Sequence, residues 1–510
     1  MLIGTLTRGG LLINRSDLTA RLGGSAEYTK FLNAHTVKEN VVPGKFNMFA
    51  VKALKPYQVD IDSILFPRRF ISIFNNSKVN TIQQIDVIPC PVDRIPEYTP
   101  SIMFTNYQQV GIQHVSEILP VKHAAYIKLG TGLGKTILGL GLIMRMGVRT
   151  IVIAPTKAIA QTWIDDGLIT CPQLRVVLYK PNAAEHDVMV IIINSFYKHT
   201  IPFLDGYGMV IIDEAHEYHS PTRIDALWLA QAVPYLVGLS ATPDSASHGL
   251  DKIVYKFLGA PIDILELPGC QVPDVFFKVG IKAIKYKGDP KYSDRILTSG
   301  GTMSTMLTIG NMVRDASRMK LVVHEILRLR AAGHGVMVFA ELRSYVAEIA
   351  KALAEYEPVL VDDGTTSDSA SSASSASSVS ILQGGTSAEQ LANTKKAGAH
   401  IVLTTYGYSR RGVSLVEMTA LVLATPRKSN TIQIIGRILR RGSDMTKVRE
   451  IVDIVDMNSG FQTQFTERKK IYDIQRYPVN IESKKFSDPD IYTDMTVKID
   501  LEELLELARE

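Results

Sequence analysis

The sequence predicts an α/β protein with two doubly wound parallel-sheet domains behind a small N-terminal accessory domain. Three observations carry that reading. Short apolar runs of strand length alternate with helix-like segments, the pattern of a parallel sheet covered by helices on both faces. The notable polar stretches fall at the carboxyl ends of those runs, where open α/β sheets bind their ligands. The series also occurs twice, up to Pro243 and again from Met319, and 510 residues are enough for two or three cores.

Residues 1–98 carry no assignable motif. Scattered strand-like runs, Phe46 to Val51 and Phe70 to Ile73, and prolines at 43, 56 and 67 suggest the accessory domain. The proline-rich stretch Pro89 to Pro100 marks its end. The first α/β domain is expected over 99–310. It opens with Phe104 and the pair Tyr107-Gln108, heading a helix-like segment to Leu119. An aromatic ring can stack on adenine, and a glutamine amide offers its edge both a donor and an acceptor. The other reading is a solvated helix start.

The organising stretch is Leu129 to Thr136, LGTGLGKT, between the strand-like Ala124 to Ile127 and the helix-like Ile137 to Met144. Gly130, Thr131, Gly132, Leu133 and Gly134 would let backbone N–H groups curl around phosphate oxygens at a helix N-terminus. Lys135 would reach the β- and γ-phosphates, and Thr136 would hold Mg²⁺. A strict phosphate-loop pattern has glycine where this chain has Leu129.

The next strands end in polar tips. Thr150 to Ala154 leads into Thr156-Lys157, with Gln161 and Trp163 in the following helix. Val188 to Ile193 leads into Asn194-Ser195. Met209 to Ile212 leads into Asp213-Glu214-Ala215-His216, and the strand through Val237 ends in Ser240-Ala241-Thr242. Paired carboxylates on a buried strand tip suit Mg²⁺ binding by Asp213 and polarisation of an attacking water by Glu214. Without the glycine loop they could simply cap the next helix.

Residues 244–310 read as irregular connection, and the second α/β domain as 311–460. Its strands are Gly335 to Ala340, His400 to Leu403 and Ala420 to Ala424. The Ser/Ala tract Gly364 to Ser380 lacks the apolar bulk to offset ordering entropy and reads as a disordered loop. Gly384 follows it, and Thr405-Tyr406 follow the second strand. Gln433, Arg437 and Arg440 lie on one helix-like segment, where arginines three apart share a face; a basic solvated face is the plain alternative. Residues 461–510 are left as a C-terminal extension.

Net charge is +5, which permits a polyanionic partner without requiring one. Cys90, Cys171 and Cys270 are far apart and lack zinc-ligand spacing, as expected of reduced thiols. No run has the length of a signal or membrane segment, so a soluble, intracellular protein is expected.

Taken together, GTGLGKT, PTK, DEAH, SAT and QxxGRxxR, in that order over residues 104–455, resemble a superfamily 2 helicase with two RecA-like domains closing on ATP. PTKAIAQTW is similar to the DNA-translocase branch. TTYGYSRRGVSL, ATPRKSN and IQIIGRILRRGSD resemble the helicases of asfarviral, iridoviral and poxviral type, active in transcript release, and also phage branch-migrating helicases. Leu129 and Ser414 depart from the pattern: relatives carry a small residue at the first and often an aspartate at the second.

The resemblance implies roles. Tyr107 and Gln108 recognise adenine, and the 130–136 loop binds phosphates and Mg²⁺. Asp213 takes Mg²⁺ and Glu214 activates water. His216, Ser240 and Thr242 couple hydrolysis to closure. Gln433, Arg437 and Arg440 complete the ATP site. Thr156, Lys157, Asn194, Ser195, Gly384, Thr405 and Tyr406 line a nucleic-acid track. It implies ATP and Mg²⁺ as cofactors, single-stranded or forked DNA as partner, and transcription or replication machinery nearby. A branch-migration motor, an RNA helicase and a non-enzymatic remodelling subunit are the alternatives.

Overall fold

The structure is a computed structural model. It describes residues 2–38, 53–71, 74, 82–87, 91–181, 183–243, 249–271, 277–298, 301, 303–356, 379–384, 386, 390, 394, 400–409, 415, 417–427, 431–439, 444, 446–457 and 460–488. The chain forms two compact units, Met1–Pro273 and Asp274–Glu510.

The first unit begins with a five-stranded mixed sheet: β1 (Leu2–Thr7), β2 (Gly10–Asn14), β3 (Gln58–Val59), β4 (Ser63–Phe66) and β5 (Ile82–Val87), in the order β3-β4-β2-β1-β5. Only the β1–β5 pairing is parallel. Helices α1 (Arg15–Leu22) and α2 (Ser25–His35) cover it. A cluster of Phe31, Phe66, Phe70 and Phe74 supplies its small core. Phe70 and Ile71, expected in a strand, are helical; Phe46 to Val51 lies outside the described residues.

This domain is fixed to the next through polar contacts. Gln231 Nε2 donates to the Gly9 carbonyl, while its Oε1 accepts from the Arg68 N–H. Arg68 also donates to the Val233 carbonyl, and Arg8 pairs with Asp205. Residues 231–233 precede β11 (below) and so place the N-terminal domain at the amino edge of the main sheet.

That sheet has seven parallel strands: β6 (Ala124–Lys128), β7 (Thr150–Ala154), β8 (Val176–Leu178), β9 (Val188–Ile192), β10 (Met209–Ile212), β11 (Tyr235–Ser240) and β12 (Pro261–Asp263), in the order β8-β9-β7-β10-β11-β6-β12. Helices α3 (Asn106–Lys122), α4 (Lys135–Met146) and α5 (Lys157–Thr170) pack on it. The central strands are buried from end to end, as expected of a sheet covered on both faces. In register, Ser240 pairs with Lys128 and Ile212 with Gly238, so the carboxyl tips lie level along one edge.

The second unit repeats the plan. Its seven parallel strands are β13 (Val279–Lys287), β14 (Gly335–Ala340), β15 (Val379–Leu382), β16 (Ile401–Thr405), β17 (Met418–Leu423), β18 (Arg449–Asp456) and β19 (Val479–Lys485), ordered β15-β16-β14-β17-β18-β13-β19. Helices α6 (Ala316–Ala331), α7 (Arg343–Tyr356), α8 (Thr431–Ile435) and α9 (Gln462–Ile474) accompany it.

Three expectations about segmentation change. The boundary falls at 273/274 instead of near 310, because β13 belongs to the second sheet. Its sequence VGIKAIKYK sets lysines at 282 and 285 between buried residues, which hides the apolar run of a parallel strand. Residues 461–485 are part of this domain: α9 buries Phe465 and Tyr472 in its core, and β19 is the edge strand beside β13. Val379 and Ser380, assigned to a disordered loop, open β15; the rest of that tract lies outside the described residues.

Candidate active site

The glycine loop joins β6 to α4 as expected. Gly132 and Gly134 adopt φ of 81° and 78°, the left-handed region that glycine enters without a Cβ clash. At Gly134 space is also short, since a Cβ would lie 2.6 Å from Gln108 Nε2. Leu129 departs from the small-residue pattern because it is a core residue: its side chain is fully buried and its N–H donates to the Ser240 carbonyl. The loop therefore starts one residue later, on Gly130.

Gln108 fastens the loop. Its Nε2 donates to the Leu133 and Gly134 carbonyls, and its Oε1 accepts from the Thr105 N–H in a capping box. Tyr107 does not present its ring for stacking. The ring is 1 % exposed within the core, and the hydroxyl donates to the Leu133 carbonyl. Both residues thus set the loop's shape.

At the tip of β10, Asp213 is 6 % exposed. Its Oδ2 accepts from the Trp163 indole N–H at 3.0 Å, and its Oδ1 from the Glu214 N–H at 2.9 Å. Each oxygen keeps a further lone pair. Burial pushes this carboxyl up to about 6 and the Glu214 charge adds to the rise, while Trp163 and the Lys135 cation oppose it. Lys135, the first residue of α4, is therefore close enough to act on Asp213. Among the described residues it has no ion-pair partner of its own.

Glu214 holds a left-handed backbone, φ 50° and ψ 46°. For a residue with a Cβ this costs roughly 1–2 kcal/mol, a strain typical of functional sites. The turn places its carboxylate 3.4 Å from His216 Nδ1. His216 is buried, and burial holds its imidazole down to about 4, with Glu217 opposing. The same Nδ1 lies 2.9 Å from Ser240 Oγ, which also accepts from the Thr242 N–H. So His216, Ser240 and Thr242 form one polar chain from β10 to β11.

The expected track residues divide. Lys157 and Asn194 are exposed at the carboxyl edge, and Ser195 is half-buried beside them in a short helix, Ile193–Phe196. Thr156 is the N-cap of α5, its hydroxyl accepting from the Ile159 N–H. Gly384 follows β15, and a Cβ there would collide with the Arg343 guanidinium. Thr405 and Tyr406 are not surface residues. Tyr406 is 1 % exposed, donates to the Thr425 carbonyl and stacks on Phe339, so it is removed from the track. Thr405 is the last residue of β16 and is likewise buried.

In the second unit, Gln433 lies on α8, which ends at Ile435. Arg437 is therefore in the turn after Gly436, where the Arg437 N–H donates to the Ile434 carbonyl three residues back. It borders a small crevice with Phe339, Thr404 and Tyr408. Arg440 lies outside the described residues.

The residues fit a triphosphate and its cation. The Thr131 hydroxyl is buried in the loop without a hydrogen-bond partner among the described residues, and the positive φ of Gly132 and Gly134 curls the backbone on either side of Leu133. Asp213 and Thr136 are oxygen donors of the kind Mg²⁺ takes.

Residues 101–245 match the family described as type III restriction enzyme, res subunit. An African swine fever virus protein, named as an ATP-dependent RNA helicase, is 32 % identical over 95 % of this chain and 94 % of its own length. The chain belongs to the superfamily 2 helicases. It is a nucleic-acid-dependent ATPase, and the two seven-stranded sheets are the two RecA-like domains of such enzymes. A helicase of invertebrate iridescent virus 6 is 24 % identical, with 72 % of this chain and 79 % of that one aligned. A fragment of an HsdR subunit of a type I restriction enzyme from Vibrio vulnificus has the same fold at a TM-score of 0.50 and 17 % identity, covering 74 % of this helicase and 68 % of that chain. Among the described residues no helix is long and apolar enough to cross a membrane.

Trp163 is the participant that sequence reasoning underused. It was visible only as the end of QTW, while its bond to Asp213 comes from fifty residues away along the chain. Its signal was a tryptophan on the helix that follows a ligand-edge loop, in a chain with only two tryptophans.

Proposed function

We propose that this helicase hydrolyses Mg·ATP to translocate on and unwind DNA, in viral transcript release or DNA processing. The observation that carries the reading is the polar chain from Glu214 through His216 to Ser240 and Thr242, which links the hydrolytic strand tip to its neighbour. Lys135 and the loop N–H groups grip the β- and γ-phosphates of ATP. Mg²⁺, held by Thr136 and Asp213, would neutralise charge on those phosphates. Glu214 orients the attacking water from its strained turn. Gln433, Arg437 and Arg440 are assigned to the same hydrolysis on sequence resemblance.

Lys157, Asn194 and Ser195 offer a cation, an amide and a hydroxyl at one sheet edge. Such groups grip phosphates without reading bases, as a sequence-independent motor requires. The PTKAIAQTW stretch favours DNA. The name of the African swine fever virus relative favours RNA, which is the second reading. ATPase stimulation compared across single-stranded, duplex and forked DNA and single-stranded RNA separates them. Stimulation by RNA alone would replace the first reading by the second.

A further inference from the structure

The indole of Trp163 touches both halves of the nucleotide machinery. It is fully buried in α5. Its Nε1–H donates to Asp213 Oδ2 at 3.0 Å. Its six-membered ring rests on α4, where a Cβ on Gly139 would come within 2.5 Å of Cη2 and 3.2 Å of Cζ3. Helix α4 begins with Lys135-Thr136, and Gly139 lies one turn beyond them, so the ring sets the distance between that helix and the tip of β10.

We propose that Trp163 is a positioning residue for the divalent cation: it fixes the orientation of the Asp213 carboxylate and its spacing from the Thr136 hydroxyl. The inference rests on the assignment of Asp213 and Thr136 as cation ligands. An indole suits the task because it is a donor only: it takes one lone pair of Oδ2 and leaves Oδ1, which accepts from the Glu214 N–H, a further lone pair for the cation. Its rigid bicycle spans from helix to strand where a flexible donor would not. Partners that orient a metal-binding carboxylate contribute about 10–100-fold to metal affinity when removed.

The same contact makes Trp163 a reporter. The chain has two tryptophans, and Trp228 lies on another helix, edge-on to Phe257. In the full-length Trp228→Phe protein labelled with ¹⁵N, the single indole N–H resonance should move when Mg²⁺ is titrated in the presence of a non-hydrolysable ATP analogue. It should stay in place with Mg²⁺ when Asp213→Asn is added. Trp163→Phe removes the donor and keeps one aromatic ring in the core. It should raise the Mg²⁺ midpoint for ATPase about tenfold while binding of a fluorescent nucleotide in EDTA is unchanged. An unchanged midpoint in folded Trp163→Phe, with a shifted midpoint in Asp213→Asn, overturns the inference and leaves the ligand assignment standing. An unchanged midpoint in Asp213→Asn overturns the assignment and the inference with it. If Trp163→Phe does not fold, the resonance decides alone: an indole signal indifferent to Mg²⁺ overturns the proposal.

Discussion

His216 Nδ1 lies 2.9 Å from Ser240 Oγ, and that contact joins the strand tip that bears Glu214 to the neighbouring strand. The Ser240 carbonyl in turn accepts from the Leu129 N–H at the start of the phosphate loop. One serine therefore contacts both the segment proposed to hydrolyse ATP and the loop proposed to hold its phosphates. Ser240→Ala keeps the backbone bond and loses the bond to His216. It should reduce strand unwinding more than ATP hydrolysis, so that more ATP is consumed per base pair opened. Parallel loss of both activities would show that the hydroxyl serves hydrolysis itself.

Lys135 and Glu214 separate binding from turnover. Lys135→Ala should weaken nucleotide binding, because the cation beside the phosphates is gone. Glu214→Gln keeps the shape and the hydrogen-bonding reach but cannot polarise water. It should bind ATP normally and turn over about 10²–10⁴-fold more slowly, the range for a lost general base. Equilibrium binding with a fluorescent nucleotide beside single-turnover hydrolysis measures both. Near-native turnover by Glu214→Gln would remove it from the mechanism.

The strands that lead to the site were legible because parallel strands buried on both faces are continuous apolar runs, as in TIVIA and MVII. What could not be read has physical reasons. Strand β13 alternates lysines with buried residues, and β19, VNIESKK, is an edge strand with mostly exposed side chains, so neither resembles a buried parallel strand. Tyr107 and Tyr406 have the right neighbours in sequence for a ligand. Which way a ring turns, however, depends on cores assembled from distant segments, and both turn inward. The bond from Trp163 to Asp213 is tertiary and has no local pattern.

Asp213 makes the cation-free protein sensitive to pH. Burial, reinforced by Glu214, raises its carboxyl to about 6 from an ordinary 3.8. Between those values the folded state binds more protons than the unfolded state, so this group's contribution to stability falls as pH rises from 4 to 6. Above pH 6 the folded state carries the full penalty of a buried charge. Asp213→Asn removes that penalty and can still accept from Trp163. In EDTA its melting temperature should therefore exceed that of the parent at pH 7.5, and the difference should vanish near pH 4. Adding Mg²⁺ to the nucleotide-bound protein should raise the parent further and leave the nucleotide-bound variant unmoved. Equal melting temperatures at pH 7.5 would contradict a strained carboxylate.

The second domain depends on a buried ion pair. Arg468 on α9 meets Asp453 on β18 through two parallel bonds of 2.8 Å, and Tyr472 donates to the same carboxylate. Arg468 and Asp453 are almost wholly buried; burial opposes the guanidinium charge, but Asp453 outweighs it and keeps the arginine protonated. Removing one partner leaves the other charged and buried without its counter-ion, at a cost of about 3–5 kcal/mol. Asp453→Ala and Arg468→Ala should each destabilise the domain by that amount. Arg468→Met with Asp453→Leu, which removes both charges and fills the volume, should recover much of the loss. Because α9 lies in the stretch first read as an extension, truncation before residue 462 should be at least as damaging as Asp453→Ala: it exposes Asp453 together with the surface that Phe465 and Tyr472 cover. Chemical denaturation of the four variants and the parent tests this. A truncated chain as stable as the parent would show that α9 is dispensable and that the pair contributes nothing to the fold.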